Sequence, residues 1–394
     1  MRRSLASSSS SRPHPNDPPR RIDRAFPDPD PDPPDEDARR IVPPWFDERH
    51  EPLTDTQAWN ARRQRLRAQW REAIGLDRLG PARGRPTVPV VRAEDHDAGV
   101  IRRLVEYGSE PDAVWRAYLL RPIESTSASN RREDAQNVVR LRPGAVVFHS
   151  TTDETIRQPA GLTADASKHL GLDLSRRGWV VVCPECFLWR HSQANRYHQA
   201  VAWLERQAGK PVAGLAKMTT DAQAALDLLL SQPGVDPMRI AAVGHSLGAK
   251  QALYLAAFDD RVAATVFSEG GLGLTHSNWN DPWYLGTLLD PDPDPDPHRP
   301  HLRLNHVELL TLIAPRGFAL IGGDSADGAR SQPLIRAAGT VWDRLGHPEA
   351  LGMLNHRRGH TLPEEARVAL FAWLEERCAT TLATCQSDQG RVNP

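Results

Sequence analysis

The chain has 394 residues, with 49 Lys plus Arg against 50 Asp plus Glu, and 39% of its residues are hydrophobic. At roughly 100–200 residues per domain this allows two or three units, or one large α/β domain with extensions. A formal charge of -1 supplies no overall field to gather nucleic acid or anionic lipid, and the apolar share excludes global disorder. No run of about 18 apolar residues occurs, so no transmembrane helix and no membrane partner are expected.

In chain order, residues 1–44 are rich in Ser, Pro, Arg and Asp, with alternating Pro and Asp from Pro27 to Asp32, and read as a disordered tail. Met1-Arg2-Arg3-Ser4-Leu5 faintly resembles a twin-arginine export signal. Ser7 to Ser11 stand where its apolar core would be, so the expected location is cytoplasmic. Residues 45–87 form a helical extension, in which Asp55 to Ile74 places Trp59, Leu66, Trp70 and Ile74 near one face. Arg62, Arg63, Arg65, Arg67 and Arg71 crowd the others and read as a solvated basic face.

Residues 88–379 alternate short β-like runs with helical stretches. Ala98 to Tyr107 and Ala113 to Leu120 read as an antiparallel pair split by Gly108-Ser109-Glu110-Pro111. Continuous apolar runs follow at Ala145 to His149, Trp179 to Cys183, Ile240 to Val243, Val262 to Phe267, Phe318 to Ile321 and Leu351 to Leu354, as strands covered on both faces require. Helices fit Thr220 to Leu230, the segment after Ser246, and Leu362 to Cys378. The expected fold class is α/β: a mostly parallel sheet with helices on both faces. Asp290 to Pro297 repeats the Asp-Pro alternation and reads as an exposed loop, and residues 380–394 as a flexible C-terminal tail.

Four cysteines, Cys183, Cys186, Cys378 and Cys385, are too few for a disulfide scaffold and fit a reducing compartment. Cys183-Pro184-Glu185-Cys186 has no second CxxC to complete a zinc site and reads as a strand end, so no metal is expected. Lysine occurs only at 168, 210, 217 and 250, which reads as a compositional habit without functional content.

The strongest local signal is Gly244-His245-Ser246-Leu247-Gly248 between the strand Ile240 to Val243 and the helix-forming Ala249 to Ala256. A lone G-x-S-x-G arises often by chance, whereas strand before and helix after is its confirming context. Ser246 then sits on a sharp strained turn, and the Leu247 amide, at an unpaired helix N-terminus, is the first candidate donor to an oxyanion.

Asp236-Pro237-Met238-Arg239-Ile240-Ala241-Ala242-Val243-Gly244-His245-Ser246-Leu247-Gly248 resembles the nucleophile region of dienelactone hydrolases and acetyl xylan esterases, within the α/β-hydrolase superfamily. The likeness spans roughly residues 90 to 378. Dienelactone hydrolases proper look to a Cys nucleophile. Ser246 shifts the expectation to ordinary carboxylic esters.

A serine hydroxyl needs a base, and Asn355-His356-Arg357-Arg358-Gly359-His360-Thr361 offers His360, with His356 as the rival. His360 is preferred because the Gly-His pair resembles the family's histidine loop, and because Thr361-Leu362-Pro363-Glu364 reads as a capping box opening the last helix. For the acid, Phe318 to Gly328 runs a strand into an acidic turn, the usual family place, where Asp327 is preferred and Asp324 is one misregister away. The alternative is Glu269, after the strand next to the nucleophile. Glucuronoyl esterases look to a Glu there and also carry a Lys one turn beyond the nucleophile, matched here by Lys250 as a substrate-binding candidate.

The second oxyanion donor is expected in His149-Ser150-Thr151-Thr152, at the Thr151 amide. His276 to Tyr284 suits a sugar-binding cleft and a packed aromatic loop equally. These readings converge on a cofactor-free serine carboxylesterase acting on a small or carbohydrate-linked ester, with its oligomeric state open. The alternatives are a serine peptidase of the prolyl oligopeptidase kind, for which the residues before Val88 supply no propeller, and a non-catalytic binding module on the same fold.

Overall fold

The computed structural model describes residues 22, 41, 44–46, 51–79, 88–97, 99–110, 113–123, 141–190, 196–209, 212–289 and 305–389. Most of the Pro/Asp/Ser-rich tail and the Asp-Pro loop at 290–297 lie outside them.

Helix α1 (Thr56–Ile74) opens at Asp55, whose carboxylate accepts the Ala58 amide at 2.8 Å. It buries Trp59, Leu66, Trp70 and Ile74, the face expected from their spacing. The expectation of a solvated arginine face needs correction. Arg62 is buried against the Pro44 carbonyl and Glu308, while Arg63 and Arg67 converge on Asp260 at 2.7–2.8 Å. Burial pushes the Asp260 carboxyl up, but Arg67, Arg316 and Arg63 overcome this and hold it well below the usual carboxylate range. These arginines fasten α1 to the body.

Strands β1 (Val90–Asp97), β2 (Val100–Glu110) and β3 (Ala113–Pro122) form an antiparallel meander at one edge. There follow β4 (Arg142–Phe148), α2 (Leu170–Arg176), β5 (Val180–Pro184), α3 (Arg196–Ala208), α4 (Gly214–Leu230), β6 (Val235–His245), α5 (Leu247–Phe258) and β7 (Ala264–Ser268). After the segment outside the described residues come α6 (His306–Thr311), β8 (Gly317–Gly322), α7 (Gln332–Arg344), β9 (Leu351–Asn355) and α8 (Glu364–Gln389). Among the described residues the sheet has nine strands in the order β1-β2-β3-β5-β4-β6-β7-β8-β9. Pairing is parallel from β5 through β9, and β3 joins β5 antiparallel.

The parallel strands are buried on both faces. In β4, Val146 and Phe148 join the core beneath α1, α4, α5, α6 and α7, while Ala145 and Val147 join the core beneath α2 and α8. From β4 the chain goes first to β5 on one side and then to β6 on the other. The carboxyl ends of the strands at such a reversal are where open α/β sheets place their ligands.

Each expected strand forms, but β1 was not anticipated as a separate strand, because all eight of its residues are exposed and Val-Val-Arg-Ala-Glu-Asp-His-Asp has no apolar alternation. Helix α8 runs to Gln389, past the expected start of a flexible tail at 380, since no Gly or Pro interrupts it before Gly390. The expected capping box is absent: the Thr361 hydroxyl turns back to the Arg358 carbonyl, and the helix begins at Glu364. No described helix is long and apolar enough to cross a membrane.

Candidate active site

The turn between β6 and α5 puts Ser246 at φ 59° and ψ -122°, a left-handed conformation costly for a residue with a Cβ. The flanking glycines permit it. A Cβ on Gly244 would lie 2.1 Å from the Gly248 carbonyl, and one on Gly248 would lie 2.5 Å from the Phe148 carbonyl oxygen. The Ser246 amide donates to the Ser268 carbonyl at 2.8 Å, tying the turn to the end of β7. The Leu247 amide, first in α5, has no acceptor among the described residues.

The residue after β7 is Glu269, itself at φ 52°. Its side chain is fully buried; it accepts the Gly323 amide on one oxygen and the Ala326 amide, at 2.8 Å, on the other. The second oxygen also lies 3.3 Å from Nδ1 of His360, whose side chain is 45% exposed. A carboxylate held by backbone amides, with an imidazole on its free edge, can fix that ring and steady its protonated form. Ser246 and His360 share no hydrogen bond among the described residues, a contact that often closes only around substrate.

The preference for Asp327 is not what the structure places beside His360. One Asp327 oxygen accepts the Gly271 amide at 2.7 Å and the other accepts the Leu272 amide and the Ser331 hydroxyl, both at 2.8 Å. Burial pushes this carboxyl up, and nearby Glu269 acts in the same direction. Asp327 therefore holds the turn that follows Glu269. Asp324, at φ 62°, accepts from the Asn355 side-chain amide at 2.7 Å and from the Ala329 amide at 3.2 Å.

His356 is buried, and its Nδ1 accepts the Arg358 amide at 3.1 Å. Its proton thus sits on Nε2, which has no partner among the described residues. That tautomer can neither donate through Nδ1 to a carboxylate nor take a proton on Nε2. Of the two expected bases, only His360 meets an acid.

In the loop after β4, the Ser150 amide is spent on Gln158 at 2.9 Å, whereas the Thr151 amide has no acceptor among the described residues. His149 braces this loop: Nδ1 lies 2.7 Å from the Ser150 carbonyl and Nε2 accepts the Cys186 amide at 3.1 Å. Burial lowers the His149 pKa to about 4, so the ring is neutral. Cys183 and Cys186 are free, buried thiols, both pushed up by burial, and no cluster among the described residues could hold a metal.

Lys250, one turn beyond Ser246, is buried. Its ammonium donates to Ser277 at 3.0 Å and Asn278 at 2.8 Å and lies 4.3 Å and 4.0 Å from the ring centroids of Trp279 and Tyr284. Burial brings its pKa down to about 7. The segment His276 to Tyr284 is thus largely a packed loop that encloses Lys250, rather than an open sugar platform. Trp283 differs: half-buried, it packs against Tyr197 at 4.8 Å, which meets Trp189, which meets His149. This aromatic row borders the Thr151 loop.

Sequence reading assigned nothing to Lys168 and His245. Lys168 Nζ lies 2.9 Å from His245 Nε2, His245 Nδ1 lies 3.0 Å from Ser268 Oγ, and the His245 ring packs 4.8 Å from that of His360. The only signal available was adjacency, since His245 precedes Ser246 and Ser268 precedes Glu269.

The dienelactone hydrolase family model matches residues 143–281, from β4 through the Lys250 enclosure. No curated protein is similar enough in sequence to match. Among solved structures, the methylesterase BT1017 aligns with TM-score 0.58 and 17% identity over 82% of this chain, which spans 65% of that protein's length. A Bacteroides fragilis protein provisionally assigned as an acetyl xylan esterase aligns with TM-score 0.57 and 15% identity, covering 81% of this chain and 80% of the other. A glucuronoyl esterase from Solibacter usitatus gives TM-score 0.58 and 15% identity over 86% of this chain and 98% of the other. With a serine on a strand-turn-helix elbow, an imidazole paired to a buried carboxylate and a family match across the elbow, the chain has the α/β-hydrolase fold and is similar through its central segment to the dienelactone hydrolase family.

Proposed function

We propose that this protein is a serine ester hydrolase using Ser246, His360 and Glu269 through an acyl-enzyme. The observation that carries the reading is the 3.3 Å pairing of His360 Nδ1 with the amide-held Glu269 carboxylate, at the sheet edge where Ser246 is presented. His360 Nε2 takes the Ser246 proton as Oγ attacks the ester carbonyl carbon. The resulting oxyanion is met by the Leu247 and Thr151 amides, which have no acceptor among the described residues. The tetrahedral intermediate collapses as the alcohol leaves with the proton from His360, and water, deprotonated by His360, then releases the acid and restores Ser246. No cofactor enters any step.

The substrate class we propose is a carbohydrate-linked ester, uronic-acid esters included. The half-buried row Trp189, Tyr197 and Trp283 beside the Thr151 loop offers flat apolar faces of the kind sugar rings stack on. Lys250 takes no part in holding a substrate carboxylate in this reading, because two of its three donors are committed to Ser277 and Asn278 and its ammonium is enclosed against the rings of Trp279 and Tyr284.

A panel of acetylated sugars, methyl esters of uronic acids and a simple aryl acetate, offered to wild type and Ser246→Ala, tests the reading. Sugar-ester hydrolysis that falls by roughly 10³-fold or more in the variant is the expected result. Equal turnover in both proteins would remove Ser246, and with it the whole reading.

A further inference from the structure

Basic side chains in this protein are nearly all arginine, with four lysines among 49 Lys plus Arg. One of those lysines, Lys168, reaches from the loop before α2 to the ring of His245 at 2.9 Å. His245 is 2% exposed and its other nitrogen lies 3.0 Å from Ser268 Oγ. An ammonium can only donate, so Nε2 of His245 must accept and the ring proton must sit on Nδ1, directed to the Ser268 hydroxyl. Burial first, then the charges of Lys168, His360 and His356, push the His245 pKa well down and keep the ring neutral. Burial lowers the Lys168 pKa to about 8, with Asp165 and Glu269 opposing the shift, so the lysine still carries its proton at neutral pH.

The position of this chain of hydrogen bonds gives it meaning. His245 is the residue before the nucleophile, Ser268 is the residue before the acid, and the His245 ring packs on that of the base. We infer that Lys168 is a positioning residue: by donating to His245 Nε2 it locks one tautomer of the His245 ring, and through the bond to Ser268 that ring fixes the relative placement of Ser246, Glu269 and His360. The inference rests on the proposed triad for its effect on rate, while the tautomer it assigns to His245 does not.

A guanidinium at 168 would bring a broad planar fork where the ring offers a single acceptor, whereas an ammonium makes one compact bond. The lock also keeps positive charge on Lys168 and off the ring that faces His360, where a second imidazolium would oppose the one formed during turnover.

The test compares wild type with Lys168→Met, which removes the donor, and Lys168→Gln, which keeps an N–H donor without charge. Imidazole ¹⁵N NMR on the full chain, with the His245 signals identified by their loss in His245→Gln, reads the tautomer. Wild type and Lys168→Gln are expected to carry the His245 proton on Nδ1, and Lys168→Met to shift it to Nε2 or to a mixture. On a hydrolysed ester, Lys168→Met is expected to lose roughly ten- to a hundredfold in kcat with KM nearly unchanged, and Lys168→Gln to recover most of it. An unchanged tautomer in Lys168→Met overturns the lock even if no ester is turned over. A shifted tautomer with undiminished kcat, a loss confined to KM, or a Lys168→Gln as damaged as Lys168→Met overturns the positioning role.

Discussion

Two acidic turns close the same edge of the sheet, one after β7 and one after β8, and each contributes a fully buried carboxylate. Asp327, in the second, has both oxygens filled by two amides and a hydroxyl, and so it organises backbone. Glu269, in the first, is held by two amides and keeps an edge for His360. On the proposed reading, burial and residue type do not distinguish a triad acid from a structural one. What distinguishes them is whether an acceptor site remains after the backbone has been satisfied. The turns also depend on each other, since Asp327 holds Gly271 and Leu272, within three residues after Glu269, while Glu269 holds Gly323 and Ala326, within four residues before Asp327.

The largest effect expected from breaking this arrangement is at the base. His360→Ala should lower kcat by roughly 10³-fold or more, whereas His356→Gln should stay within about tenfold, because His356 hydrogen-bonds no carboxylate among the described residues. Steady-state kinetics of the pair checks this, and a greater loss at His356 would reverse the assignment.

Removing the structural acid should appear in stability. Asp327→Asn replaces an oxygen that accepts a backbone amide with a donor, leaving a buried polar clash costing about 2 kcal/mol, or roughly 3 °C in Tm for a domain of this size. Thermal unfolding that left Tm unchanged would show that the Gly271-Leu272 turn does not need its anchor.

A smaller effect concerns Lys250, whose pKa falls from 10.5 to about 7 on burial. Between these values the unfolded chain binds more protons at this site than the folded one, so its contribution to stability rises with pH from about 7 toward 10.5. The Tm difference between wild type and Lys250→Met should therefore shift in favour of wild type between pH 7 and pH 9. A difference that is constant across that range would mean the ammonium is not desolvated as its enclosure implies.

The elbow that carries Ser246 is legible because its geometry is local: Gly244 and Gly248 are required within five residues of chain by the turn that exposes the serine. The parallel strands were legible because both of their faces are buried. The carboxylate that pairs with His360 is harder to read, since Glu269 and Asp327 each lie in a turn after a buried strand, and the choice depends on amides of Gly323, Ala326, Gly271 and Leu272 that fold in from other segments. The arginine face of α1 misled for the same reason, because Asp260 and Glu308, nearly 200 residues or more away, turn a solvated stripe into an anchor. Lysine usage, read as compositional, also hid its content. Lys250 is enclosed by Trp279 and Tyr284, Lys217 lies buried on Asp221 near Trp115, and Lys168 meets His245.

The most direct test of the account is kcat for Glu269→Gln and Asp327→Asn measured side by side on one sugar ester, at a temperature where both remain folded. The account predicts a fall of roughly 10³- to 10⁴-fold for Glu269→Gln, through loss of the carboxylate that orients His360, and a change within about tenfold for Asp327→Asn. A large loss at Asp327 with Glu269→Gln near wild type would contradict it.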